Sequence, residues 1–174
     1  MPVATIIRVL FQAKRFRVEE VEQADEDGAR HIKHIVRHPG ACVIIPLVSA
    51  TEICLIENFR AAVSRTLLEL PAGTLEPPEP PEETALRELI EETGYHAAQL
   101  RLIHRFYMSP GILDEAMFVY VASDLTPGAA SLEAGELIRT RVCSLTEIDG
   151  LLKSGQIQDA KTIAALAFYL RYIV

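Results

Sequence analysis

Three glutamates at helical spacing are the side chains of this sequence best suited to chemistry. Glu88, Glu91 and Glu92 follow Arg87 closely, and residues three or four apart share one face of an α-helix. Like charges at that spacing destabilise a helix by roughly 0.2–0.5 kcal/mol per pair. A hard cation such as Mg²⁺, which prefers carboxylate oxygens, would offset this cost. The alternative is an acidic helix face that is simply solvated.

The wider spacing favours the metal-binding interpretation. The fixed positions are Gly73, then Glu79 after five residues, Arg87-Glu88-Leu89 after seven more, Glu91-Glu92 after one, and Gly94-Tyr95 after one. This pattern resembles the Nudix box, G-x5-E-x7-R-E-U-x-E-E-x-G-U, where U is a bulky apolar residue. Every fixed position matches. Tyr95 at the last U is a mild departure, because an aliphatic residue is more usual there.

The resemblance implies an α/β/α sandwich that hydrolyses a nucleoside diphosphate linked to another group. It implies Mg²⁺ as cofactor, with Mn²⁺ or Zn²⁺ as possible substitutes. The expected metal ligands are the carbonyl of Ala72 and the carboxylates of Glu88, Glu91 and Glu92, with Glu91 and Glu92 also catalytic. The expected structural positions of the box are Gly73, Glu79, Arg87 and Gly94. Glycine at 73 would let the chain turn sharply, so that the Ala72 carbonyl could point at the metal.

Further stretches resemble the ADP-ribose pyrophosphatase branch of this family. They are residues 68–73, the pair Phe59-Arg60, and the loop 109–115. Asn58 stands where that branch usually has glutamine. Pro110 follows Tyr95 by fifteen residues, as the branch's marker proline does. The resemblance implies that Glu115, at the end of the loop, is the general base, with a carboxylate of the box as the alternative base. An ordinary turn ending in a solvated acid fits the same residues.

The same resemblance suggests how the substrate binds. Arg37 and Arg60 are candidate ligands of the substrate, since guanidinium groups suit phosphate oxygens; surface salt bridges are the alternative. Phe16 is a candidate for stacking on the base, with core packing as the alternative, and Gly111 is a candidate contact in the loop. We expect residues 1–40 to form an N-terminal β segment and residues 41–174 the hydrolase domain. In this branch the N-terminal strands exchange between subunits, which predicts a homodimer.

The elements that must position these residues can be predicted from periodicity and turn signals. We predict strands at 15–21, 29–37, 41–48, 52–57, 66–70, 99–107, 116–122 and 138–142, with two or three strands in residues 6–37. We predict helices at 82–93, from Ser144 to Gly155, and after Asp159, with Pro81 as first helical residue of the first one. Helices do not alternate regularly with strands, so the pattern favours an α+β fold with a mixed sheet.

The amino-acid composition limits which partners and which cellular compartment we expect for this protein. The net charge of −7 argues against nucleic acid, because affinity for its backbone comes from Lys and Arg. No apolar stretch approaches the length that spans a membrane. Three widely spaced cysteines suit reduced thiols, which predicts a cytoplasmic protein.

We therefore expect Mg²⁺-dependent hydrolysis of ADP-ribose to AMP and ribose 5-phosphate. Three alternatives remain: a hydrolase for another nucleoside diphosphate sugar such as GDP-mannose, a triphosphate-cleaving enzyme, and a non-catalytic domain that senses a nucleotide.

Overall fold

The N-terminal strands form a small antiparallel sheet of their own. In the computed structural model, which describes residues 4–132 and 135–174, this sheet has the order β1-β2-β3. The strands are β1 (Ala4–Gln12), β2 (Arg17–Ala24) and β3 (Arg30–Arg37). A turn joins the second and third strands, in which the N–H of Gly28 donates to the carbonyl of Asp25 at 3.2 Å. We call residues 4–37 the arm.

The main sheet has seven strands, in the order β10-β5-β4-β9-β8 with β6 added beside β5 and β7 beside β4. The strands are β4 (Ala41–Ser49), β5 (Glu52–Arg60), β6 (Arg65–Glu69), β7 (Ala72–Thr74), β8 (Tyr95–Tyr107), β9 (Ala116–Pro127) and β10 (Ile138–Ser144). Only the β4–β9 pairing is parallel among the described strands. The predicted mixed sheet is confirmed.

Helices cover both faces of this sheet. They are α1 (Pro81–Thr93), α2 (Leu145–Lys153) and α3 (Ala160–Tyr172). On one face, Ala85 and Leu89 of α1 pack in an apolar cluster with residues of β4 and β9. On the other face, Ile148 of α2 and Leu166 of α3 join the larger core cluster. The fold is the α/β/α sandwich that the sequence predicts. No helix of the described residues is long and apolar enough to cross a membrane.

The ends of the helices agree with the sequence prediction. Pro81 begins α1, and Gly94 ends it with a left-handed φ of 75° and an N–H that donates to the Ile90 carbonyl. The side chain of Ser144 caps α2 and that of Asp159 caps α3. Such caps satisfy backbone N–H groups that the first helical turn leaves without partners. The caps of α1 therefore set the position of the helix along the chain, and with it the positions of its glutamates relative to the sheet.

The sequence prediction missed β7 and made several other strands too short, β8 and β9 most of all. The three residues of β7 pair with β4 beside the start of the box, and so short a strand leaves no periodic signal. Strand β8 begins at Tyr95 and β9 continues to Pro127, because these ends pair with each other. The strand β7 matters for the site, since it places Ala72 and Gly73 next to α1.

Candidate active site

A cavity of about 970 Å³ lies where the arm meets the main sheet. Its walls come from the β1–β2 turn and the C-terminal end of the arm, from β5, β6, β7 and α1, from the loop before β9, and from the start of α3. Many predicted site residues line it: Phe16, Arg37, Arg60, Ala72, Gly73, Glu88, Glu92 and Glu115. A cavity with convergent charged groups is the natural location for a binding site.

Glu88 packs directly against the backbone of Gly73. A β-carbon built at position 73 would lie 2.0 Å from the carboxyl carbon of Glu88, a distance that no real structure permits. Gly73 lies within β7 and is not among the residues with a left-handed φ. The reason predicted for this glycine, a sharp turn, is therefore wrong. Glycine at this position leaves the space that the carboxylate of Glu88 occupies, and a side chain would displace that carboxylate.

Glu92 is almost completely buried, with 4% of its surface exposed. The N–H of Ala72 donates to its Oε2 at 2.9 Å. Burial raises the pKa of Glu92 to about 8, opposed by this hydrogen bond and reinforced by the charges of Glu88 and Glu136. A carboxylate held in this way is costly to ionise unless a cation accompanies it.

Glu88 has a similar electrostatic environment. Burial raises its pKa to about 7; the guanidinium of Arg87 opposes the shift, while the charges of Glu91 and Glu136 add to it. Two neighbouring acids with raised pKa values at a cavity wall are a recognised mark of a functional site.

Arg87 forms hydrogen bonds with three acids of the box, Glu79, Glu88 and Glu91. Its Nη1 donates to Oε1 of Glu88 at 2.8 Å and to Oε2 of Glu91 at 3.1 Å. Its Nε and Nη2 donate to Glu79 at 3.3 and 3.2 Å, and Glu79 also accepts from Thr84 at 2.7 Å. Arg87 and Glu79 thus fix the loop before α1 to the helix. Glu91 lies outside the cavity lining, so the helix does not present its three glutamates as one group.

Glu136 is an acid of the site that the sequence analysis missed. It lines the cavity shortly before β10, and its charge raises the pKa of both Glu88 and Glu92. It lies far from the box in sequence and in no recognisable motif. The order of the sheet brings it close, because β10 pairs with β5 on the side of the cavity.

A network of opposite charges forms the wall beside Glu92. Arg60 donates from Nε to Oε1 of Glu69 at 2.8 Å and from Nη2 to Oε2 at 2.6 Å. Lys161, near the start of α3, donates to the same Oε2 at 2.5 Å and to Oδ2 of Asp159 at 2.9 Å. Glu69 is completely buried. This network holds two cations at the cavity wall.

The arm is fastened to the loop that carries Glu115. The N–H of Val36 donates to the carbonyl of Ile112 at 2.8 Å. Asp114 accepts from Nη1 of Arg37 at 3.1 Å and from the N–H of His38 at 2.8 Å. Glu115 lies with its Oε1 at 3.5 Å from Nδ1 of His38. The loop end is therefore held at the cavity by the last residues of the arm.

The three other residues predicted to bind the substrate differ in their positions. Phe16 lines the cavity, is 40% exposed and has its ring centroid 6.0 Å from that of Phe11, so the alternative of core packing is wrong. Gly111 lies outside the cavity lining, with no atom within 4 Å of where its β-carbon would stand. Arg37 lines the cavity but also donates from Nε to Glu19 at 2.7 Å.

The donors at this wall fit a hard divalent cation. Within residues 4–132 and 135–174, no three His, Cys, Asp or Glu side chains converge as a complete cage. Mg²⁺ does not require one, since it is usually held by one or two carboxylates together with waters and substrate phosphates. The buried, oxygen-only pair Glu88 and Glu92 matches that requirement. The pKa values of both acids are raised even though Arg87 donates to Glu88, so a further positive charge would stabilise the two carboxylates.

Fold and site together define the class: an α/β/α sandwich in which two buried acids of one loop–helix element, suited to a divalent cation, lie at the wall of a large cavity. The NUDIX domain family matches residues 36–166 of this chain. The chain belongs to the Nudix family and is a Nudix hydrolase.

Several relatives are similar over most of their length. The chain is 38% identical to an ADP-ribose pyrophosphatase of Bacillus subtilis over 87% of this chain and 82% of that protein. It is 36% identical to a methanol dehydrogenase activator of Bacillus methanolicus, over 88% and 83%. It is 30% identical to a GDP-mannose pyrophosphatase of Citrobacter koseri, over 86% and 83%. A crystal structure of an ADP compounds hydrolase shares the fold with a TM-score of 0.85 and 23% identity, covering 99% of this chain and 94% of that one.

Proposed function

We propose that this protein hydrolyses the diphosphate bond of ADP-ribose and releases AMP and ribose 5-phosphate. The observation that carries the proposal is the buried pair Glu88 and Glu92, whose pKa values are raised to about 7 and 8 at the wall of a large cavity. Arg87 offsets only part of the charge of this pair. A metal cation beside the two acids would stabilise both as carboxylates and would attract a diphosphate. The similarity to the ADP-ribose pyrophosphatase of Bacillus subtilis supports this substrate.

The metal would be held by Glu88 and Glu92, with the carbonyl of Ala72 as a further oxygen ligand; Mn²⁺ or Zn²⁺ could replace Mg²⁺. Bound Mg²⁺ neutralises charge on the diphosphate and lowers the pKa of an attacking water. Gly73 leaves room for the Glu88 carboxylate, and Arg87 orients it.

In the reaction, the oxygen of water bonds to one phosphorus and the bridging P–O bond breaks. A carboxylate must take the proton that the water loses. Glu115 is the base that the sequence predicts, and Glu136 is the base that its position among Glu88 and Glu92 favours. A general base contributes about 10²–10⁴-fold to a rate, so substitution separates the two.

The substrate would lie between the box and the arm. Arg60 faces the cavity beside Glu92, which suits a contact to the diphosphate. Phe16 exposes its ring at the opposite wall, which suits stacking on adenine. Arg37 is already paired with Glu19 and Asp114, so its contribution would be to hold the arm and the loop in place, with any direct contact secondary.

The arm also supports a homodimer. Strand β1 exposes a row of large apolar side chains, each 44–56% accessible: Ile6, Ile7, Val9, Leu10 and Phe11. A surface of this kind marks an interaction site, and a second copy of the chain exchanging its arm would cover it. The three buried free cysteines fit a cytoplasmic enzyme.

A hydrolase for GDP-mannose is the second candidate, supported by the relatives that carry that name. A panel of nucleoside diphosphate sugars, assayed with Mg²⁺ and analysed by chromatography for both products, separates the two. We expect kcat/KM for ADP-ribose to exceed that for GDP-mannose at least about tenfold, which is about 1.4 kcal/mol of discrimination. A preference for GDP-mannose would replace the proposed substrate, and no hydrolysis of any member would reject the proposal.

A further inference from the structure

Glu19 is a buried carboxylate of the arm that the proposed reaction does not use. Its side chain is 1% exposed, and Glu19 and Val21 are the two buried residues of β2. Successive side chains of a strand point to opposite faces, so these two residues lie on one face of β2. Burying an ion pair has a desolvation cost, and apolar side chains of similar volume are often as stable in its place. The stability of the arm therefore does not account for a glutamate at this position.

Two arginines hold Glu19 as a carboxylate. Arg17 donates from Nε to its Oε1 at 2.6 Å, and Arg37 donates from Nε to its Oε2 at 2.7 Å. These bonds, that of Arg37 most of all, hold the pKa of Glu19 below its ordinary value, although burial opposes the shift. Arg17 and Arg37 lie directly opposite each other in the β2–β3 register, where like charges destabilise a sheet. The charge of Glu19 offsets this repulsion and keeps both guanidinium groups in place.

Arg37 connects this carboxylate to the loop before β9. Its Nη1 donates to Oδ2 of Asp114 at 3.1 Å, and Asp114 precedes Glu115 in the chain. The backbone of the loop bonds to the same end of the arm, since the N–H of Asp114 donates to the carbonyl of Val36 at 3.2 Å. A guanidinium group is a rigid planar fork, so the bond from Nε to Glu19 sets the direction in which Nη1 points. Glu19 thus determines where Asp114 is held.

The other arginine connects the carboxylate to the turn between β1 and β2. Arg17 is the first residue of β2 and follows Phe16, the residue proposed to stack on adenine. Arg17 and Phe16 both line the cavity. Glu19 therefore joins the part of the arm that faces the base to the loop that carries Glu115.

We infer that Glu19 is a positioning residue, which through Arg37 and Asp114 holds the loop 109–115, and with it Glu115, at the cavity. The inference rests on the proposed function for its effect on the rate, because that rate is the hydrolysis of ADP-ribose. Hydrogen bonds between two charged groups are roughly twice as strong as neutral ones. Glutamine at position 19 would keep the shape of the side chain, would hold Arg37 less firmly, and would loosen the loop.

Hydrogen exchange of the purified protein, followed by mass spectrometry, tests the positioning without substrate. We expect Glu19→Gln to speed exchange in the loop 109–115 about tenfold, as for loss of a hydrogen bond to a charged group, and to leave β2 and β3 protected. Glu20→Gln is the matched control, because it removes the same charge from the next residue of β2, whose partners Arg8 and His34 both lie in the arm. We expect its loop to exchange like that of the wild type. An unchanged loop in Glu19→Gln would overturn the inference. Faster exchange in β2 and β3 as well as the loop would also overturn it, because Glu19 would then stabilise the arm as a whole.

Steady-state kinetics test the effect on the reaction. We expect Glu19→Gln to lower kcat for ADP-ribose about tenfold, less than the roughly 100-fold that a misplacement of about 1 Å can cost, with KM nearly unchanged. Glu20→Gln should match the wild type. Asp114→Asn should lower kcat by a similar factor, and adding Glu19→Gln to it should slow the enzyme no further, because both residues act through one contact. An unchanged kcat in Glu19→Gln, or effects that multiply in the double variant, would overturn the inference. A loop that depends on Glu19 in a protein without activity toward ADP-ribose would reject only the proposed function.

Discussion

The carboxylate of Glu88 lies in the space that a side chain at position 73 would occupy, 2.0 Å from an ideal β-carbon on Gly73. The three nearest atoms all belong to the side chain of Glu88, so this side chain must move if a methyl group is added. We expect Gly73→Ala to lower kcat/KM for ADP-ribose by about 100-fold or more, the order expected when a group at the reacting centre is displaced by about 1 Å.

Gly150→Ala is the control for that variant. Gly150 lies inside α2, and no atom lies within 4 Å of the position of an added β-carbon. Alanine there should leave kcat/KM unchanged and stabilise the helix by about 0.5–1 kcal/mol. Wild-type kinetics in Gly73→Ala would show that the position of Glu88 does not matter.

The buried acid Glu92 should make the metal-free protein less stable as pH rises. Its folded pKa of about 8 lies above the reference of 4.5, so the folded state binds more protons between these pH values. Stability then falls as pH increases through this window. At pH 9 in EDTA, we expect the free energy of unfolding of Glu92→Gln, measured by denaturant titration, to exceed that of the wild type by roughly 2–4 kcal/mol. One pKa unit corresponds to about 1.4 kcal/mol.

At pH 5 this difference should largely disappear, because the wild-type carboxyl is then protonated. Glu83→Gln, on the exposed first turn of α1, should retain the wild-type dependence on pH. An equal stability of wild type and Glu92→Gln at pH 9 would mean that the acid is not buried as described. We expect Glu92→Gln to lose nearly all turnover of ADP-ribose, because a proposed ligand of the metal is lost while the fold remains.

The general base can be located by comparing two conservative variants. Glu136 interacts electrostatically with both Glu88 and Glu92, whereas Glu115 lies beside His38. We expect Glu136→Gln to lower kcat about 100-fold or more with little change in KM, and Glu115→Gln to lower kcat by a smaller factor. The reverse order would assign the base to Glu115, as the resemblance implies.

Oligomeric state tests the role of the arm. Phe11, at the end of the exposed apolar row, is 56% accessible, and a second subunit should bury it. We expect sedimentation equilibrium to show a dimer for the wild type and a monomer for Phe11→Asp. Leu102→Asp, at a similarly exposed position on β8, should remain dimeric. A monomeric wild type would reject the proposed dimer.

The local parts of the site could be predicted from the sequence, and the long-range parts could not. The spacing from Gly73 to Gly94 predicted α1, its caps and the acids Glu88 and Glu92, because helix geometry depends on neighbours in the chain. Helical spacing alone also placed Glu91 on the same face as Glu88 and Glu92. In the structure Glu92 is buried against β7, whereas Glu91 accepts a hydrogen bond from Arg87.

The other differences have the same origin. Glu136 reaches the cavity through the order of strands in the sheet, and Lys161 meets Glu69 across 92 positions of sequence. Pairings at such distances leave no local periodicity in the chain. The close contact of Glu88 with Gly73 likewise depends on β7, which is too short to be predicted.

The most direct test of the central claim is anomalous diffraction from crystals grown with Mn²⁺ and α,β-methylene ADP-ribose. The account predicts an anomalous peak within about 2.0–2.4 Å of carboxylate oxygens of Glu88 and Glu92, with the diphosphate of the analogue bound to the same ion. An ion elsewhere, or none, with Glu92 bonded only to the N–H of Ala72, would contradict it.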